Sequence, residues 1–305
     1  MAQSLEQKEA DLFTAHPLGA AEPTAIFILG SPRTGSTPFF QAVVAAFSLP
    51  YISNFANTET PNQPAIGILK SHAARAPASF KSAYGKIAGM DAPSEGSAVM
   101  LNWCGGGHPS EIVSAAVLPG KAAHLRATLR AVESATGAPL VIKNAWNCFR
   151  LGSLAAVLPR AGFIWIRRDI GKAAASDLAA RYATKSDANA WNSATPRNIA
   201  ELQKLPYWEQ VVENQAAFAR AISEAAASLA PARFVEVWWE DFVRDPNAEL
   251  AKLASRLEIA KERALSTLDS EAFSSEREGD LPEQDAVRIQ AFIDANARFA
   301  PLRRS

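Results

Sequence analysis

Two short stretches carry the residue types an anion-handling site needs. The first is Gly30-Ser-Pro-Arg33-Thr34-Gly35-Ser36-Thr37. Glycines at its ends let the backbone turn its N–H groups inward, and a following helix adds the positive end of its dipole, so the segment suits a phosphate cradle. Its spacing follows G-x-x-x-x-G-K-[ST] except that Ser36 stands where that pattern has lysine. The lysine of nucleoside-triphosphate enzymes neutralises the β- and γ-phosphates beside magnesium, so its loss disfavours an ordinary ATPase or kinase. The cation has moved to the middle of the loop as Arg33, whose rigid fork can hold two oxygens at once. The second stretch is Arg167-Arg168-Asp169, with Ser176 eight residues beyond Arg168. An arginine at a strand's carboxyl end and a serine in the next helix can converge on one phosphate.

The elements that must position these residues are legible in the hydrophobic pattern. Ala25-Ile-Phe-Ile-Leu29 reads as a strand, and the apolar period from Pro38 to Phe47 as the helix that the loop opens. Further strands are expected at Leu140–Lys143, Phe163–Ile166 and Phe234–Trp238, with helices over Leu151–Leu158 and Asn214–Leu229 between them. Strands alternating with helices predict a parallel sheet covered on both faces, a three-layer α/β/α class. Prolines break the pattern across 50–138, which reads as a helical, loop-rich insertion able to form a pocket for a second substrate. Segment 181–215, with Pro196, Pro206, Trp191 and Trp208, has the composition of a lid. Segment 246–305 reads as a helical C-terminal part of the same single domain.

Composition limits the alternatives. Lys plus Arg and Asp plus Glu both total 31, so no net field holds the chain on nucleic acid or an anionic membrane, and any anion site is local. No apolar run reaches bilayer length. Cys104 and Cys148 have no metal-binding spacing, and residues 1–13 lack the pattern of a secretory signal, so a cytoplasmic, metal-free protein is expected.

The loop GSPRTGST after a strand resembles the 5′-phosphosulfate loop of sulfotransferases that use 3′-phosphoadenosine-5′-phosphosulfate (PAPS), most closely the bacterial branch. The resemblance spans about residues 24–48 and 139–258. It implies the P-loop-like sulfotransferase fold and transfer of a sulfuryl group from PAPS to a hydroxyl or amine of a small-molecule acceptor. Arg33, Thr34, Gly35, Ser36 and Thr37 match the donor loop, and Arg168 with Ser176 matches the family's 3′-phosphate pair. Lys143 is similar to the lysine that faces the bridging oxygen. Arg277, in Ser275-Glu-Arg-Glu-Gly279, is the nearest candidate for the family's C-terminal 3′-phosphate arginine. Val235-Glu-Val-Trp-Trp-Glu240-Asp241 resembles a further family segment, in which Glu240 and Asp241 are expected to cap or orient neighbours.

The general base is open at this point. The cytosolic branch has a histidine two residues after the lysine, where this chain has Ala145. The insertion offers His72, Glu59, Glu95 and His108, and the Lys-Ser-His72 sequence favours His72. Trp103, Trp146, Trp191 and Trp208 are expected mainly in core or lid packing. A phosphotransferase with an unusual cation and a non-catalytic nucleotide-binding module are the competing readings, and homodimerisation is left open.

Overall fold

The computed structural model describes residues 3–19, 21–74, 80, 86–106, 116–191, 194–257, 266–268, 273 and 281–304. Arg277 and His108 lie outside the described residues. In chain order the elements are α1 (Leu5–Ala15), β1 (Ala25–Leu29), α2 (Ser36–Phe47), α3 (Asn54–Thr58), α4 (Pro64–Ala73), α5 (Ser97–Cys104), α6 (Ala122–Thr136) and β2 (Leu140–Lys143). There follow α7 (Asn147–Val157), β3 (Gly162–Arg167), α8 (Ile170–Lys185), α9 (Ile199–Leu202), α10 (Tyr207–Ala226), β4 (Phe234–Trp238), α11 (Trp239–Arg244), α12 (Pro246–Arg256) and α13 (Glu283–Asp294).

The four strands pair in parallel in the order β2-β1-β3-β4. Every residue of β1 and β2 is buried, which is why both read as unbroken apolar runs rather than as alternating ones. Alternate side chains divide between two cores. Ala25, Phe27 and Leu29 pack with α5, α6, α7 and α10 on one face. Ile26 and Ile28 pack with α2 and α12 on the other. A third apolar cluster joins α8, α10 and α13. The strands, helices and layers agree with the expected class, a P-loop-like three-layer α/β/α fold.

This topology creates the crevice. The chain leaves β1 toward β2 through α2 on one face and leaves β3 toward β4 through α8 and α10, with α10 packed on the opposite face, so the two connections diverge above the adjacent ends of β1 and β3. Such a switch point is where open parallel sheets bind ligands. The register pairs Ile28 with Lys143, placing the last residue of β2 beside the loop that follows β1. The described part of the insertion is helical, with α4 packed against α1, α3 and α6. No described helix is long and apolar enough to cross a membrane.

Candidate active site

The loop after β1 is braced from three sides. Thr34 Oγ1 donates to Ser31 O at 2.8 Å within the loop. Gln215 of α10 donates through Nε2 to Pro32 O at 3.1 Å and also hydrogen bonds Ser31 Oγ. The Gly30 N–H is directed at Cys148 Sγ, 3.3 Å away. Burial pushes the Cys148 thiol up to about 12, so at neutral pH it stays protonated and serves as a weak acceptor rather than a nucleophile. At the start of α2, Gly35 occupies the cap position with no side chain capping the helix. The first N–H groups of α2 are thereby left for an anion. At α8, by contrast, Asp169 caps the helix itself, accepting from Lys172 N at 3.1 Å.

Gly35 is dictated twice over. Its φ is +76°, and a Cβ there would sit 2.3 Å from the Trp239 ring. Left-handed backbone costs a residue with a Cβ about 1–2 kcal/mol, and overpacking adds about 1–3 kcal/mol. Gly35→Ala is therefore expected to lower unfolding stability by about 2–5 kcal/mol and to displace the loop, a result that thermal unfolding with and without nucleotide will read. Arg33 also adopts positive φ, 71°. Its Nε donates to Ser176 Oγ at 3.1 Å.

The two anion stretches meet. Arg168 Nη1 donates to Arg33 O at 3.2 Å, and Ser176, 7% exposed, receives Arg33. The neighbouring residues separate the two arginines of β3 by task. Arg167 stacks between Trp165 and Trp238, at 4.4 and 4.3 Å from their ring centres, donates to Pro301 O at 2.6 Å and pairs with Glu236. Arg167 thus ties β3 to β4 and to the C-terminal segment, while Arg168 faces the loop. Glu240 accepts from Asp169 N at 3.0 Å, and Asp241 pairs with Arg304 and Arg244, so both acids orient the strand ends.

Lys143 completes the crevice. Only 5% exposed, it donates to Thr37 Oγ1 at 3.3 Å and forms an ion pair with Glu95. Asn144, the next residue, holds the Glu95 segment by donating to Glu95 O at 3.0 Å. The Glu95 side chain is 32% exposed against 6% for Lys143, so the carboxylate occupies the open side of the pair. His72 lies in the last turn of α4, in the helical layer of the insertion. Ala145 is buried at the end of the β2–α7 turn. Trp103 is core, donating to His124 Nδ1 at 3.0 Å, Trp191 stacks on Arg181, and Trp208 packs on Tyr207 and near Arg288.

A parallel α/β sheet with an uncapped phosphate-type loop, its cation moved from the usual lysine position to Arg33, and a second arginine–serine pair touching that loop defines a P-loop-like group transferase. Residues 23–263 match the sequence model of the Sulfotransferase family, and the chain belongs to that family. Among solved structures, it is similar to the sulfotransferase STF1 from Mycobacterium tuberculosis H37Rv, at 16% identity and TM-score 0.47 over 94% of this chain and 81% of that one. It is also similar to STF9 from Mycobacterium avium (15%, TM-score 0.48, 95% and 71%) and to a sulfotransferase from Alicyclobacillus acidocaldarius (13%, 0.48, 94% and 98%). No curated sequence relative matches.

Proposed function

We propose that this sulfotransferase uses PAPS as its donor and transfers the sulfuryl group in line to a hydroxyl or amine of a small acceptor. The observation that carries the reading is the direct contact between the two anion stretches, Arg33 with Ser176 and Arg168 with the Arg33 carbonyl. One nucleotide with phosphates at its 5′ and 3′ ends satisfies both. The 5′ end lies on Gly35, Ser36, Thr37 and Arg33, and the 3′-phosphate on Arg168 and Ser176. Sulfuryl transfer spreads charge over equatorial oxygens, so fixed cations supply much of the acceleration. Lys143, buried beside Thr37, is the cation for the bridging oxygen. Glu95, on the open side of Lys143, is the general base that takes the acceptor's proton. The 181–215 segment, with α9 and the start of α10, serves as the lid over the donor.

Adenosine 3′,5′-bisphosphate is expected to raise the melting temperature without magnesium, and Arg168→Ala to lose most of that rise, whereas ATP with magnesium does little. The reverse preference would support the phosphotransferase reading. A ligand shift without sulfated product across a broad acceptor panel would leave only a binding module.

A further inference from the structure

Three consecutive carbonyls of the loop after β1 are each held by a side chain. Thr34 Oγ1 donates to Ser31 O at 2.8 Å, Gln215 Nε2 to Pro32 O at 3.1 Å and Arg168 Nη1 to Arg33 O at 3.2 Å. Thr34 belongs to the loop and Arg168 to the 3′-phosphate pair, whereas Gln215 comes from α10, 183 positions along the chain from Pro32. It is 4% exposed. Chemistry fixes the orientation of its amide: Pro32 O can only accept, so Nε2 faces it, and Oε1 is left to accept from Ser31 Oγ. The helix that carries Gln215 is itself anchored. Val211, Val212 and Phe218 of α10 are fully buried, and Gln210 accepts from Arg181 of α8 at 2.9 Å.

We infer that Gln215 is a positioning residue for the donor, fixing the Pro32–Arg33 peptide plane so that the loop's amides face the donor's 5′ end. The inference rests on the donor-site reading above. No peptide bond among the described residues is cis, so the C=O and N–H of that unit point in opposite directions. Holding Pro32 O on α10 therefore turns the Arg33 N–H away from α10. The same plane sets the φ of Arg33, which is positive, a conformation that the Cβ of an arginine disfavours. A hold from outside the loop keeps it there. Arg33 and Gly35 have positive φ and Thr34 between them does not, the alternation that gathers successive N–H groups into an anion nest. Because the hold exists before the donor arrives, the donor does not have to order the loop on binding.

The test uses two probes that differ only at the 5′ end, adenosine 3′,5′-bisphosphate and adenosine 3′-monophosphate, in equilibrium competition binding to the wild type and Gln215→Met, with thermal unfolding in parallel. Methionine keeps the length of the side chain and loses both hydrogen bonds. Positioning of the loop predicts that Gln215→Met weakens the bisphosphate about tenfold and leaves the 3′-monophosphate within about twofold, since the latter is held through Arg168 and Ser176. Weakening of the monophosphate as large as that of the bisphosphate is the result of a general loosening of α10 on α8, and it overturns the inference. An unchanged bisphosphate affinity does the same. A wild type that binds neither probe, or binds both alike, sinks the donor reading instead, which separates the two failures. Gln215→Ala, too short to reach Pro32, is the second variant and is expected to show the same split if Gln215→Met does not fold. Failure of both to fold makes Gln215 a residue of stability alone and overturns the inference by that route.

Discussion

Glu95→Gln is expected to lower kcat about 100- to 10,000-fold while leaving the affinity for adenosine 3′,5′-bisphosphate unchanged or slightly tighter, the range typical of losing a positioned general base. The expectation follows from the placement of the carboxylate. Lys143 is shut in between β2 and α2, and Glu95 closes the outer side of it, held by Asn144 through its own carbonyl. An acceptor approaching from solvent therefore meets Glu95 before the lysine. Glutamine keeps the shape and the hydrogen bonding to Lys143 but cannot accept a proton. Because removing the carboxylate also frees Lys143 from a competing anion, donor affinity does not fall with turnover, and the two readouts part company. Single-turnover measurements with saturating donor isolate the step. A variant that keeps more than a third of wild-type turnover removes Glu95 from the role and returns attention to His72, for which His72→Ala under the same conditions is the matching experiment.

The strands and the loop were legible because their signals are local. Four runs bounded by turn residues become four parallel strands: β1, β2 and β3 are buried on both faces and read as nearly unbroken apolar runs, whereas β4 alternates about the exposed Glu236. Gly35 is legible for a related reason, as glycine relieves both a left-handed backbone and a close aromatic neighbour. The residue proposed as base was not legible in the same way. Lys-Ser-His72 drew attention by its composition, whereas Glu95, in the loop just before α5, meets Lys143 only because the fold brings together residues 48 positions apart. Gln215 escaped for the same physical reason. It acts through a contact made when distant elements pack, its Nε2 on the Pro32 carbonyl. The paired arginines illustrate the limit from the other side. Arg167 and Arg168 are equivalent as letters, and strand alternation gives them opposite tasks, one sandwiched between Trp165 and Trp238 and the other on the loop.

Lys143→Met tests the cation that the reading places opposite the bridging oxygen. Methionine approximates the length of the buried stem and fills its space at the end of β2, so the sheet register with Ile28 is expected to persist. Loss of one preorganised charge donor in a water-poor site costs about 100- to 1,000-fold in turnover. Adenosine 3′,5′-bisphosphate lacks the sulfuryl group, so its affinity is expected to change far less than kcat, whereas a lysine that merely anchored Thr37 would alter loop order and nucleotide affinity together. The double variant with Glu95→Gln sharpens the distinction. If lysine and carboxylate act in one transition state, the losses combine to less than the product of the single losses, because removing either already disables the step the other assists. Turnover of Lys143→Met within threefold of wild type, at unchanged stability, would leave Arg33 as the cation that the transferring group depends on.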